Sequence, residues 1–332
     1  MINVAMAFGP KSTGRRCSPP NGLRPKAGAT SSAIRLLRRM ALIFSAAADA
    51  CRMASLRGRV ALISPLWHDA SGMSERLDLD KLQSLLRTEF VGRHVSYHET
   101  VGTTMEVAAR EAEAGAPEGT VVIAEEQTAG RGRMGRSWVS PPGVNLYFTI
   151  VLRPTLAHLR HLPVITPLAV CLAIEETTQL VPRIKWPNDV LIDGKKVCGI
   201  LPESELADDE VLYALVGPGI NVNLDASAHE EIRDIATSLA EQAGHEVSRE
   251  AVLAATLNHF EALYEAARRG EVVSTGWKQR LDTLGKAVRV LTAAGIEEGV
   301  AVDADADGAL ILRLDDGSHV RVDAGEVTLR DE

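Results

Sequence analysis

Three stretches of this chain combine residue types at spacings that suit chemistry on anions and planar rings. The first is Gly130-Arg131-Gly132-Arg133-Met134-Gly135-Arg136, closely followed by Trp138. Glycines let the backbone wrap around a ligand, and each guanidinium offers a planar fork of donors for carboxylate or phosphate oxygens. The stretch reads as a mobile anion clamp beside a wall for a planar base, against the plainer alternative of an exposed basic loop. It also satisfies GxGxxG, but a dinucleotide turn must open a helix facing the pyrophosphate. The Ser137-Trp138-Val139-Ser140-Pro141-Pro142-Gly143 that follows cannot start one.

The second stretch is Lys185-Trp186-Pro187-Asn188-Asp189. Pro187 forces Trp186 into extended geometry, which places Lys185 at a strand end with Asn188-Asp189 turning beyond it. In a cleft, that ammonium would sit as a point charge beside a phosphate or a developing oxyanion. A lysine snorkelling into water is the alternative. Lys195-Lys196, beside Asp193-Gly194, reads instead as a solvated hairpin tip. The third stretch, Gly217-Pro218-Gly219-Ile220-Asn221, closes an apolar strand, with glycines that permit close ligand approach and an amide at Asn221.

These stretches need elements to hold them. Leu79, Leu82, Leu85, Leu86 and Phe90 recur at helical spacing, so a helix is predicted over Leu79 to Val91, with others over Met105 to Ala114 and Leu159 to Leu180. Strands are predicted at Val95 to His98, Thr120 to Ala124, Asn145 to Leu152, Arg183 to Trp186, Val190 to Ile192, Val197 to Leu201 and Val211 to Val222. Two or three helices follow between Glu230 and Leu284. Five short β-runs near Val288, Glu298, Leu310, Val320 and Val327 are separated by Gly-containing turns and predict a small β-barrel.

At 332 residues, with 45% hydrophobic and 24% charged residues, the chain is long enough for about two domains and too balanced for a disordered or polytopic membrane protein. Its net charge of -8 is uneven: residues 1–72 carry 11 basic and 2 acidic side chains, and residues 73–332 carry 25 and 42. The Arg-, Ser- and Pro-rich first part is predicted to be disordered or not part of the working protein. A translated upstream region is favoured there over a transit-type presequence or a basic nucleic-acid arm. The acidic body disfavours non-specific nucleic-acid binding. The apolar runs Met40 to Ala48 and Leu162 to Ile174 read as a short helix and a buried helix, so no membrane span is expected. Cys17, Cys51, Cys171 and Cys198 form no CxxC pair, which points to a reducing, cytoplasmic setting without a zinc site.

Taken together and in order, Glu126 to Trp138, Lys185 to Asp189, Lys196-Val197-Cys198-Gly199-Ile200-Leu201 and Gly219-Ile220-Asn221 resemble the motifs of biotin protein ligases, from about Val101 to the C-terminus. The resemblance implies an α+β fold: a mixed β-sheet flanked by helices in a class II synthetase-like catalytic domain over 73–284, then a small SH3-like β-barrel over 285–332. It implies formation of biotinyl-5'-AMP from biotin and MgATP, with Mg²⁺ ligands unassigned. Biotin then passes to one lysine of a biotin carboxyl carrier protein domain of acetyl-CoA carboxylase or a related enzyme.

By the same resemblance, Thr103, Thr104, Met105, Gln127, Gly130, Arg131, Gly132, Arg133, Lys185 and Gly199 bind biotin. Arg133, Arg136, Trp138, Asn188, Gly219 and Asn221 bind ATP or the adenylate, and Lys185 and Arg133 are catalytic. Met105, Pro202 and Pro218 depart from the family's usual residues, removing an amide near biotin and a backbone N–H at each proline. Residues 1–72 are too Pro-rich for a helix-turn-helix repressor domain, so a monofunctional ligase is expected, monomeric or homodimeric, with no sequence-specific DNA binding. The alternatives are a lipoate or octanoate ligase or transferase of the same fold, or a non-catalytic biotin-binding regulatory module.

Overall fold

The structure is a computed structural model that describes residues 76–329, so the basic segment 1–72 lies outside the described residues. In chain order it forms α1 (Leu79–Leu85), β1 (Val95–Val101), α2 (Thr104–Glu113), β2 (Val121–Gln127), β3 (Leu146–Leu152), α3 (Leu156–Leu159) and α4 (Leu162–Thr178). There follow β4 (Arg183–Lys185), β5 (Asp189–Ile192), β6 (Lys195–Ala207), β7 (Glu210–Ile220), α5 (Leu239–Ala243), α6 (Arg249–Arg268) and α7 (Ser274–Arg280). The last segment contributes β8 (Ala287–Thr292), β9 (Gly295–Ala304), β10 (Leu310–Arg313), β11 (His319–Val322) and β12 (Glu326–Leu329).

The first seven strands make one mixed sheet in the order β1-β2-β3-β7-β6-β5-β4, parallel between β1 and β2 and antiparallel elsewhere. Side-chain alternation explains how both faces become buried. Val121, Ile123, Ile150, Leu152, Ala214 and Val216 enter the main core with α4 and α6, while Val122, Val151 and Leu215 pack with Met105, Val107, Ala108 and Ala112 of α2. The remaining strands form the antiparallel sheet β11-β10-β9-β8-β12, on the five β-runs read from the sequence. No described helix is long and apolar enough to cross a membrane.

Three elements differ from the sequence prediction, each for a local reason. α1 stops at Leu85, because the following turn is held by Glu261 of α6, whose carboxylate accepts the N–H groups of Phe90 and Val91. The helix expected over Leu159 to Leu180 is split into α3 and α4, with Pro163 in the first turn of α4, where its missing N–H costs nothing. β6 does not end before Pro202 but runs through it to Ala207. β5 pairs with β6 only as far as Gly199, so Pro202 lies where the described residues give β6 one partner strand, an edge that tolerates proline. Pro218 falls where the β3–β7 pairing is interrupted between Gly219 and Val216.

Two polar anchors fix the strands that carry the candidate residues. Trp186, 1% exposed, donates from its indole to Gly308 O at 2.8 Å and from its backbone to Thr283 Oγ1 at 3.0 Å, joining the Lys185 strand to the second sheet. Glu125, at the end of β2, accepts from Arg249 of α6 at 2.6 Å, from the Tyr97 hydroxyl at 2.7 Å and from Leu77 N–H at 2.8 Å. Burial raises the Glu125 pKa, but these donors, Arg249 first, outweigh it and hold the carboxyl below its ordinary 4.5. Because the folded value is depressed, this stabilisation is present above about pH 4.5 and is lost as pH falls through the folded pKa. Glu125→Gln removes the carboxylate that faces Arg249 at 2.6 Å and should cost about 3 kcal/mol. Thermal melts should show a lower Tm at neutral pH and a flatter acid limb than wild type, and identical acid limbs would refute the assignment.

Candidate active site

α2 begins at the site. Thr103 caps it, its Oγ1 accepting Glu106 N–H at 3.1 Å, which uses one of the hydroxyl's two lone pairs and leaves its proton free to donate. Thr104 N–H donates to Gln127 Oε1 at 2.9 Å, with the Thr104 hydroxyl 3.3 Å from the same oxygen, and Thr149 on β3 donates to Thr104 Oγ1 at 2.9 Å. Gln127 Nε2 donates in turn to Ser140 Oγ at 3.1 Å. This polar set brings Thr103, Thr104 and Gln127 together as the sequence suggested, and adds Thr149 and Ser140, which it did not.

The Gly/Arg segment is a small hairpin. Arg131 bridges Ser137, Gly132 N–H donates to Arg136 O, and a tight turn over Arg133–Gly135 places Met134 and Gly135 at positive φ. No helix follows, so GxGxxG is a coincidence of composition here. Arg133 reaches Asn188 Oδ1 at 2.9 Å and Gly325 O at 3.1 Å, while Arg136 pairs with Glu326 on β12. Burial lowers the Arg133 pKa, with Asp189 opposing the shift, and the guanidinium stays cationic. Arg131 lies 3.7 Å from Glu203, a loose and exposed pair. Gly130 does not line the cavity, contrary to expectation. An added Cβ there would meet Trp138 O at 2.5 Å and Ser140 Oγ at 2.7 Å, so this glycine supports the hairpin from behind.

Trp138 lies on the sheet. Gly199 of β6 and Gly219 of β7 stand directly opposite each other, and a Cβ would fall 3.0 Å from the ring at Gly199 and 2.6 Å from Nε1 at Gly219. The indole therefore rests on bare backbone, its buried N–H without a hydrogen-bond partner.

Lys196 corrects the sequence reading. Only Lys195 is an exposed hairpin residue; Lys196 is held 2.8 Å from Asp189, with its ammonium 5.1 Å from the centroid of the Trp138 ring and folded over Gly199. The cause is a bulge: Val190 faces Cys198 and Leu191 faces Lys196, so Val197 is a surplus residue. Val197 and Cys198 both enter the core, and Lys196 and Gly199 emerge on the same face.

Thirteen residues of the expected set besides Lys185, all but Gly130, line one cavity of about 470 Å³, within the size range of small-molecule sites. Met105 lines its floor with Sδ packed over Gly217, and Asn221 enters it although its amide N–H₂ donates to Thr237 O at 3.0 Å. Lys185 also lines the cavity, and no carboxylate among the described residues forms an ion pair with it. Residues 232 and 234–236 close one side, and Glu326 and Val327 of β12 another.

Comparison with known proteins matches residues 98–221 to the biotin/lipoate A/B protein ligase family and residues 283–330 to the biotin protein ligase C-terminal domain. The bifunctional ligase/repressor BirA of Bacillus subtilis is 36% identical over 73% of this chain and 76% of its own length. The chain belongs to this family. A biotin--[acetyl-CoA-carboxylase] ligase of Paracoccus denitrificans is also 36% identical, over 62% of this chain and 88% of its own. Among solved structures, the biotin protein ligase of Aquifex aeolicus in complex with biotin and ATP superposes with a TM-score of 0.62 at 32% identity, covering 72% of this chain and 100% of that one.

The seat of Trp138 in this ligase can be tested directly. Gly219→Ala must lift the indole off β7. The variant should emit at longer wavelength than wild type, a difference that vanishes in a Trp138→Phe background, and should bind ATP about tenfold more weakly. Unchanged emission and affinity would show that the ring does not rest there in solution.

Proposed function

We propose that this biotin protein ligase activates and transfers biotin within the single cavity, with a urea-binding end at Thr103, Thr104 and Gln127 and an anion end at Arg131, Arg133 and Lys196. The observation that carries the reading is the juxtaposition of the two ends, with Trp138 between them, in a cavity of about 470 Å³. The free proton of Thr103 and the amide of Gln127 suit the ureido group, which would be costly to bury unpaired. The apolar chain crosses Met105, and the carboxylate reaches Lys196. Trp138 offers a flat face to adenine, with Arg136, Asn188, Gly219 and Asn221 completing the nucleotide side.

A carboxylate oxygen of biotin attacks the α-phosphorus, the bond to pyrophosphate breaks, and the mixed anhydride biotinyl-5'-AMP remains. Lys196 and Arg133 oppose the negative charge that builds on the non-bridging oxygens, a role that water, with its higher dielectric, performs less well. Lys185 supplies a second ammonium to the same cavity, toward the departing phosphates. Mg²⁺ arrives on the phosphates of ATP as part of the substrate. Among the described residues no group of three or more His, Cys, Asp or Glu side chains could hold a metal ion; the wall carries the carboxylates of Asp189, Asp234 and Glu326, of which Asp189 already pairs with Lys196 and Glu326 with Arg136. A deprotonated lysine of a biotin carboxyl carrier domain then attacks the acyl carbon, forming the amide and releasing AMP. The buried free thiols of Cys171 and Cys198 fit a reducing, cytoplasmic setting.

The test is pyrophosphate exchange into ATP by the full chain with Mg²⁺ and biotin, lipoate, octanoate or no acid. Exchange should depend on biotin. A response to lipoate or octanoate would move the chain to the sister activity, and biotin binding without exchange would make it a binding module. Lys196→Ala should lower the exchange rate on the order of 10²- to 10³-fold, more than Lys185→Ala. The reverse ranking would return the carboxylate and α-phosphate contact to Lys185.

A further inference from the structure

Ser140 is buried, 8% exposed, behind the cavity wall and between two residues that form it. Its Oγ accepts from Gln127 Nε2 at 3.1 Å and donates to Trp138 O at 3.0 Å. Gly130 makes the junction possible, since a Cβ there would collide with both Trp138 O and Ser140 Oγ, and Gly130 O accepts Trp138 N–H at 2.9 Å. A hydroxyl has one proton to give. With that proton on Trp138 O, the serine oxygen can only accept from Gln127, which orients the amide with Nε2 toward Ser140 and Oε1 toward Thr104 N–H.

We infer that Ser140 is a positioning residue that couples the two ends of the cavity, so that biotin bound at Gln127 sets the Trp138 wall for the nucleotide. The inference rests on the reading of this cavity as the biotin and ATP site. Ser140 and the Thr104 N–H together fix which face of the Gln127 amide meets the ureido group, and Ser140 also holds the carbonyl at the base of the indole. Occupancy at one end therefore shifts the other through two hydrogen bonds. Thr149 stiffens the far end of the same chain through Thr104 Oγ1. Because coupling of binding is reciprocal, ATP should tighten biotin by the same factor that biotin tightens ATP.

The experiment uses the full chain and an ATP analogue with a methylene between the α and β phosphorus atoms. Its affinity is measured with and without saturating biotin in wild type, Ser140→Ala, Ser140→Cys and Ser140→Thr. Wild type should bind the analogue about tenfold or more tightly with biotin present, within the usual range of coupling between sites. Ser140→Ala and Ser140→Cys should reduce that factor to within about twofold, and Ser140→Thr, which keeps the hydroxyl, should restore it. A merely structural role would lower both affinities and the Tm while leaving the ratio unchanged. An unchanged ratio in the Ala and Cys variants, or no coupling in wild type that still exchanges pyrophosphate with biotin, overturns the inference alone. Failure of wild type to exchange with biotin removes the ligase reading and this inference with it.

Discussion

An aromatic ring resting on bare backbone sets the geometry around which the rest of the site is arranged. Gly199 and Gly219 face each other across β6 and β7, and the absence of both Cβ atoms lets Trp138 lie against the sheet. That seat fixes one leg of the arginine hairpin, because Trp138 N–H closes its base on Gly130 O. It also fixes Lys196, whose ammonium is held between the ring, Gly199 and Asp189. The cations of the hairpin and of β6 are thus brought to one cavity by a contact that is itself apolar.

The surrounding fold limits how far those parts can drift. Both faces of the sheet are buried, so the strands bearing Gln127, Gly199 and Gly219 sit inside two packed layers. Glu125 and Arg249 lock the end of β2 to α6, two residues before Gln127. Trp186 does the same for the Lys185 turn, reaching into the second sheet at Gly308. That sheet is more than a neighbour, since Gly325 and Glu326 hold Arg133 and Arg136 directly. The anchors are buried and few, while Arg131 and Arg136 stay exposed at the edge and Arg133 is half-buried between them.

Much of this was legible in the sequence where local rules decide. Runs of β-branched and bulky apolar residues located the strands, the helix read over Met105 to Ala114 is α2, and the five β-runs located the second sheet. The Gly/Arg, Lys-Trp-Pro-Asn-Asp and Gly-Ile-Asn motifs gathered in one cavity as expected. Lys196 was misread because its place beside the Asp193-Gly194 turn suggests a solvated tip, and only the Val197 bulge puts it on the face of Gly199. Ser140 and Thr149 were silent because a hydroxyl has no spacing rule, and its partner is set by tertiary packing. Glu125 and Arg249 are 124 positions apart, beyond any local pattern. Gly130 was placed against biotin because a motif gives composition without showing which side of a loop faces the ligand.

The bulge also makes the β5–β6 hairpin a device that counts residues. Lys195 and Lys196 are chemically identical neighbours, and the one that reaches the cavity is chosen solely by how many residues separate the Asp193-Gly194 turn from the core pair Val197 and Cys198. Inserting one uncharged residue in that span would leave the charge as it is, yet it would change which lysine stands across from Leu191 and so which one reaches the cavity. Length, at this place, is as much a part of the sequence's chemical information as residue identity.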